Sequence, residues 1–296
     1  MSHDFARLPT ALLPLFRLMQ QVCENGQMLD SQPPTPVFII SFNRGEMVRK
    51  CIRGMNHLNR SLRFIIHDNG SDDKDTLNIL DELSKEGVII YRSSPINKAD
   101  DLNQVNDSIV RFFSDHRTKS TNYIVTDCDI DMSIARPDAI DIYERLLALH
   151  EEIQCVGPML RIHDIPKSYP LYNRLMNRHI EQFWQFPPTW IERDRLRVAV
   201  QKCLIDTTFA LHRKGDAFRR LKNAMRVYEP FEALHLDWYR QFISPDTTYS
   251  ASSSNKISHW DNYQQLLKHQ DARLQYATYI RVVSENGELV EVHEKI

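Results

Sequence analysis

The chain has 296 residues, 42% of them hydrophobic and 26% charged, with a formal net charge of −2. That is enough apolar material for one large α/β domain or two small ones, and the near-neutral balance gives no electrostatic ground for a nucleic-acid partner. With 8 glycines in all, a glycine-rich phosphate cradle is largely excluded, and no apolar run is long enough to span a bilayer.

Five cysteines (Cys23, Cys51, Cys128, Cys155, Cys203) form no C-x-x-C pair. An odd, scattered set fits free thiols in a reducing compartment. The opening MSHDFARLPTALLPLFRLMQQ carries a short apolar segment broken by Pro9 and Pro14. It lacks the basic leader and small-residue cleavage site of a signal peptide. The expectation is a cytoplasmic chain, with peripheral contact at the inner face of a membrane left open.

Residues 1–34 read as a helical leader, with Leu12, Leu13, Leu15, Phe16 and Met19 on one apolar face. Gln32-Pro33-Pro34-Thr35-Pro36 ends any helix and starts an extended segment. From there strands and helices alternate. Pro36–Ser41 is a buried-strand run, and Glu46–Leu58 has helical spacing through Met47, Cys51, Met55 and Leu58. Arg63–His67 is a second strand ending in the turn cluster Asp68-Asn69-Gly70-Ser71. Asp72 or Asp73 caps a helix through Leu77, Leu80 and Leu83, which Gly87 closes. Val88–Tyr91 is a third strand, Ala99–Asp115 a helix, Tyr123–Asp127 a fourth strand, and Pro137 opens a helix running to His150. Four strands with helical crossovers predict a largely parallel sheet covered on both faces, with ligands bound beyond the carboxyl ends of the strands.

The second half is less regular. Cys155–Leu160 is a short strand. Residues 161–197 are rich in aromatics (Tyr169, Tyr172, Phe183, Trp184, Phe186, Trp190) that either stack on sugar rings or pack a loop. Leu204–Leu211 reads as a strand, Leu234–Phe242 as a short helix, Ser250–Asn255 as a polar loop and Asp261–Leu274 as a helix. Tyr276–Val283 and Glu288–His293 flank Glu285-Asn286-Gly287, a hairpin signal.

The chemistry concentrates in YIVTDCDIDMS, where a strand runs into Asp127, Asp129 and Asp131, spaced two apart. Period two starts all three on one face, and three carboxylates on one edge repel unless a cation or a donor array lies among them. Magnesium typically takes one or two carboxylates plus substrate phosphates. Two other readings stay open: acids as turn formers at a strand end, and an EF-hand calcium loop. The second wants Gly at the sixth position and Glu at the twelfth, where Met132 and Asp138 stand. Cys128, between two acids, is unsuited to form a nucleophilic thiolate.

PVFIISFNR, IIHDNGSDD and YIVTDCDID, in that order and each at a strand end, resemble the nucleotide-binding half of a GT-A-fold glycosyltransferase of the family 2-like group. The likeness covers Pro36 to Ile134 well and the rest loosely. It implies a Rossmann-related, mostly parallel α/β sheet flanked by helices, with an irregular acceptor-side half and a C-terminal β-hairpin. The implied organisation is 1–34 leader, 35–160 nucleotide-sugar half and 161–296 acceptor half. The implied activity is metal-dependent transfer of a sugar from a nucleoside-diphosphate sugar, UDP-linked, to a glycan or lipid-linked acceptor. The resemblance places Phe42 and Asn43 against uracil and ribose, has Asp68 accept from the base, and sets Arg44 near phosphate, unless Arg44 is simply solvated at a helix start. Asp127-Cys128-Asp129 matches the D-x-D motif, so Asp129 would bind Mn²⁺ or Mg²⁺, with Asp127 near ribose or metal. Inverting members carry an acid pair opening a helix in the second half. Asp237 fits the general base, while His235 stands where the first acid belongs, and Glu229 and Glu232 are fallbacks. His259 in Ser258-His259-Trp260 would be a further metal or phosphate ligand, or a structural histidine. A sugar nucleotidyltransferase is the enzymatic alternative, disfavoured by the single glycine in SFNRGEM, and a non-catalytic sugar-nucleotide or glycan-binding module is the other.

Overall fold

The computed structural model describes residues 33–95, 99–116, 118–184, 187–193 and 196–239, together with the backbone of two C-terminal strands, 278–285 and 288–295. The expected leader helix, the 250–255 loop, the 261–274 helix, Phe186 and His259 lie outside the described residues.

Every residue of β1 (Thr35–Ser41) is buried, as expected for a strand covered on both faces. It leads through Phe42, Asn43 and Arg44 into α1 (Gly45–Gly54). β2 (Leu62–Asp68) follows, then α2 (Lys74–Lys85), whose N-cap Asp73 accepts the Thr76 N–H at 2.8 Å. Gly87 takes φ +95 just beyond, as the sequence anticipates for a helix stop. β3 (Ile89–Arg92) comes next. The segment expected as one helix over 99–115 divides into a 3₁₀ turn (Ala99–Gln104) and α3 (Val105–Asp115). β4 (Asn122–Asp127), the two-residue β5 (Ile130–Asp131), α4 (Ala139–Leu149) and β6 (Cys155–Pro158) complete the first part.

The aromatic stretch 161–197 is more ordered than its periodicity suggests. It holds α5 (Tyr172–His179), a π turn (Ile180–Trp184) and β7 (Thr189–Arg193), before β8 (Leu196–Ile205). The strand expected over 204–211 is broken at Asp206–Phe209, between the end of β8 and β9 (Ala210–Arg213). β10 (Lys222–Val227) and β11 (Leu234–His235) follow; of the helix expected over 234–242, the described residues form β11 and a 3₁₀ turn (Leu236–Trp238), and 240–242 lie outside them. β12 (Thr278–Glu285) and β13 (Glu288–Lys295) pair antiparallel down to Glu285↔Glu288, the register a two-residue turn imposes.

β1 to β4 and β6 to β10 make one nine-stranded sheet in the order β3-β2-β1-β4-β9-β6-β10-β8-β7. Pairing is parallel for β3-β2-β1-β4 and β6-β10 and antiparallel at β9 and β8, so seven of the nine strands run the same way. Period two divides the core. Val37, Ile39, Ile66 and Ile124 face α1, α2 and α4, while Phe38, Ile40, Ile65, Tyr123 and Val125 face α3. Tyr169 and Trp184 are core residues, Trp184 edge-on to Tyr228 at 5.1 Å, so loop packing accounts for both.

Parallel register gathers the strand ends. Ser41 lies opposite Asp68, Asp68 opposite Arg92, and Ile40 opposite Asp127. The loops after β1, β2 and β4 therefore open at one edge, the place where open α/β sheets bind ligands.

Candidate functional site

Asn43 is the hinge of the first loop. It takes φ +50, a left-handed conformation that asparagine tolerates better than most residues. Its N–H donates to Ser71 Oγ at 2.8 Å and its side-chain nitrogen to Asp72 at 2.7 Å. Its side-chain oxygen accepts the N–H groups of Asp72 and Asp73 at 2.9 and 3.0 Å. The loops after β1 and β2 are thus stitched together by one amide.

Asp68 is fully buried at the base of that joint. Its carboxylate accepts from the Ser71 hydroxyl at 2.5 Å, from the Ser71 N–H at 3.2–3.3 Å and from Arg92 Nε at 3.0 Å. Phe42, next along the chain from Ser41, is half-buried.

The acidic cluster sorts into three environments. Asp127 is half-buried; its N–H donates to the Thr207 carbonyl at 2.8 Å, and its carboxylate accepts the Thr207 hydroxyl at 2.6 Å. Loss of surrounding water, then the charges of Asp129 and Asp206, push its carboxyl well above the usual range. Asp131 instead closes a local turn, accepting the Ser133 N–H at 2.9 Å and the Ser133 hydroxyl at 2.8 Å. The turn-forming reading of these acids holds for Asp131.

Asp129 is the buried member, and two other segments converge on it. Arg44, 6% exposed, donates Nη1 to Asp129 Oδ2 at 2.8 Å and Nη2 to Asp237 Oδ1. The second segment arrives through backbone pairing. β11 lies antiparallel to β5, with Leu234 opposite Asp131 and His235 opposite Ile130, and the Leu236 N–H donates to the Asp129 carbonyl at 2.8 Å. That bridge brings His235 Nε2 to 3.9 Å from Asp129 Oδ2 and places Asp237 alongside. Ligand atoms of Asp129, His235 and Asp237 all lie within 4.8 Å of one another. Trp238 stacks on the His235 ring at 4.4 Å and 6°, fixing its plane. Asp129 Oδ1 is buried without a hydrogen-bond partner.

Sequence reasoning reached Asp129 and Asp237 but took His235 only as a departure from an acid pair. It missed Thr207, whose sole signal is position after β8. Of the fallback acids, Glu232 is 1% exposed and bonded to Arg161 Nε at 3.1 Å. Arg161 in turn lies beside Asp164 and under Tyr239, whose hydroxyl donates to the Arg161 carbonyl at 3.1 Å. Cys128 is buried, and that burial raises its thiol far above the range of a reactive cysteine.

No family model matches the chain, and no curated protein resembles it in sequence. Solved glycosyltransferase-type structures are similar to it. A mannosyltransferase from Pyrobaculum calidifontis in complex with GDP-Man and Mn²⁺ has a TM-score of 0.42 at 10% identity, over 90% of this chain and 79% of that one. TarS residues 1–349 from S. aureus score 0.35 at 9% identity, over 61% of this chain and 47% of that one. Glucosyl-3-phosphoglycerate synthase from Mycobacterium tuberculosis, in complex with phosphoglyceric acid, scores 0.31 at 16% identity, over 49% and 50%. The chain thus spans about half the length of the last two. No described helix is long and apolar enough to cross a membrane.

Proposed function

We propose that this chain is a metal-dependent glycosyltransferase that moves a sugar from a UDP-linked donor to a hydroxyl of a glycan or lipid-linked acceptor. The observation that carries the reading is the β5–β11 bridge, which assembles Asp129, His235 and Asp237 at the carboxyl edge of the parallel strands. The donor set fits a divalent ion. Carboxylate oxygens suit Mn²⁺ and Mg²⁺, imidazole is a common metal ligand, and a buried carboxylate oxygen without a partner is what a cation relieves. Asp129 and His235 would hold the ion, with Asp127 near the ribose or the ion. The ion would supply positive charge against the leaving diphosphate.

The chain's own groups do the rest. Asp237, its side chain 30% exposed against 9% for Asp129 and 16% for His235, is more open to an acceptor than either. As general base it takes the hydroxyl proton while the oxygen attacks the anomeric carbon, which inverts its configuration. The Asn43–Ser71–Asp68 lattice holds the loops that would flank the nucleoside, with the Phe42 ring as a face to stack on. A base seated there would share Asp68 with Ser71 and Arg92.

The test compares Asp237→Asn, Glu232→Gln and Glu229→Gln at saturating donor, with NMR of the anomer formed by the parent. Asp237→Asn should keep donor binding and lose ~10²–10⁴-fold in transfer. Transfer at the parental rate by Asp237→Asn, or retention of the anomeric configuration, overturns the base assignment. A sugar-nucleotide-binding module would bind donor and never consume it.

A further inference from the structure

We propose that Arg44 is an internal cation that holds the acidic site in the metal-free protein and gives way when a divalent ion binds. The proposal rests on the reading that Asp129 and His235 are metal ligands.

Three observations carry it. One guanidinium bridges both carboxylates, Nη1 to Asp129 at 2.8 Å and Nη2 to Asp237. The oxygen it holds, Asp129 Oδ2, is the same atom that His235 Nε2 faces at 3.9 Å. An ion shared by Asp129 and His235 and the Arg44 fork therefore contest one lone-pair region. Asp129 Oδ1 meanwhile stays buried with no partner, so the guanidinium satisfies the site only in part.

The position of Arg44 adds a physical reason for exchange. It is the residue before α1, where the helix dipole is positive and disfavours a cation. Asp129 and Asp237 offset that penalty by holding its guanidinium. Once an ion takes the acids, the guanidinium can turn to a diphosphate, which suits a planar, bidentate donor. Displacement by metal and capture by diphosphate are then two halves of one exchange. Each ligand lowers the cost of binding the other, and by linkage the coupling is reciprocal. A simple salt bridge within a fixed scaffold would show neither competition with Mn²⁺ nor such coupling.

The experiment titrates Mn²⁺ alone, then UDP alone, then each in the presence of the other, into the full chain by calorimetry, with free Mn²⁺ followed by EPR. The proteins are the parent, Arg44→Met and Arg44→Lys, each checked for folding by circular dichroism. If the bridge is closed in about nine of ten parent molecules, Arg44→Met should bind Mn²⁺ about tenfold more tightly. Lysine can reach one carboxylate at a time, so Arg44→Lys should lie between. The mutual enhancement of Mn²⁺ and UDP should be smaller in both variants than in the parent, leaving only the part that the ion's own charge supplies against the diphosphate. Mn²⁺ affinity equal to or weaker than the parent's in the variants overturns the proposal, as does undiminished coupling. If Arg44→Met fails to fold, Arg44→Lys decides on the same criteria. Absence of UDP binding by the parent with Mn²⁺ present would count against the transferase reading and leave the Mn²⁺ comparison intact.

Discussion

Glu232 provides a stability test that needs no substrate. It is 1% exposed, and burial, opposed by the Arg161 charge and hydrogen bond, pushes its carboxyl from 4.5 up to about 7. Burial outweighs the ion pair because one oxygen, Oε1, has no partner to offset the lost water. The sign follows from proton counting. Below 4.5 both folded and unfolded chains hold the proton and the contribution is fully present; as pH rises the unfolded chain releases it first, so stability falls until the folded pKa is passed. The full interval, at 1.36 kcal/mol per pH decade, is worth about 3 kcal/mol, of which about 2–3 kcal/mol falls between pH 5 and pH 8. Glu232→Gln keeps the shape and removes the titration. Urea midpoints of parent and variant, taken at half-unit steps across that range, should show the parent losing about 2–3 kcal/mol relative to the variant as pH rises. A difference that stays flat, or moves the other way, means that the Arg161 pair holds Glu232 ionised and that the burial argument fails.

Other outcomes follow from packing and from the loop lattice. A methyl at Gly157 would sit well inside contact distance of the Phe209 backbone carbonyl, which cannot step aside; Gly157→Ala should cost about 1–3 kcal/mol or more in urea unfolding. Asp68→Asn should cost about 1–3 kcal/mol in stability, because Ser71 and the half-exposed Arg92 lose a charged acceptor that is itself buried. It should also weaken UDP without changing affinity for Mn²⁺ alone, both read by calorimetry. Asp131→Ala should leave Mn²⁺ affinity near parental, since Asp131 serves the Ser133 turn.

The legible parts of the sequence were those where local pattern and tertiary role agree. β1, β2 and β4 each carry a contiguous apolar stretch (37–40, 64–66 and 123–125) that runs out toward Phe42-Asn43, Asp68-Asn69 and the D-x-D acids, so strand, strand end and site could be read together. β10 was not visible, because Lys222 and Arg226 interrupt its apolar pattern. Arg226 is buried all the same, its charge met by the Pro158 carbonyl and the Thr208 hydroxyl, both at 2.7 Å. Those partners are 68 and 18 residues away, beyond any local window. The helix expected from Leu234 gives way to pairing with β5, in which Leu234 lies opposite Asp131 and the Leu236 N–H donates to the Asp129 carbonyl just before that strand. That same pairing makes His235 part of the site, so the misread element and the unrecognised site residue have one cause. Arg44 could be read either as a phosphate ligand or as a solvated helix start; its burial between two acids is a consequence of the fold alone.

The measurement closest to the central claim is consumption of UDP-sugars by the purified chain, with Mn²⁺ added and with Mn²⁺ chelated, beside Asp129→Ala. The account predicts release of UDP from one or more sugar donors with Mn²⁺ present. It predicts loss of that release on chelation and in Asp129→Ala, because without the ion or its buried ligand the diphosphate charge is left uncompensated. Undiminished Mn²⁺-dependent turnover in Asp129→Ala would contradict the metal assignment, and binding of the donors with no turnover under any condition would contradict catalysis itself.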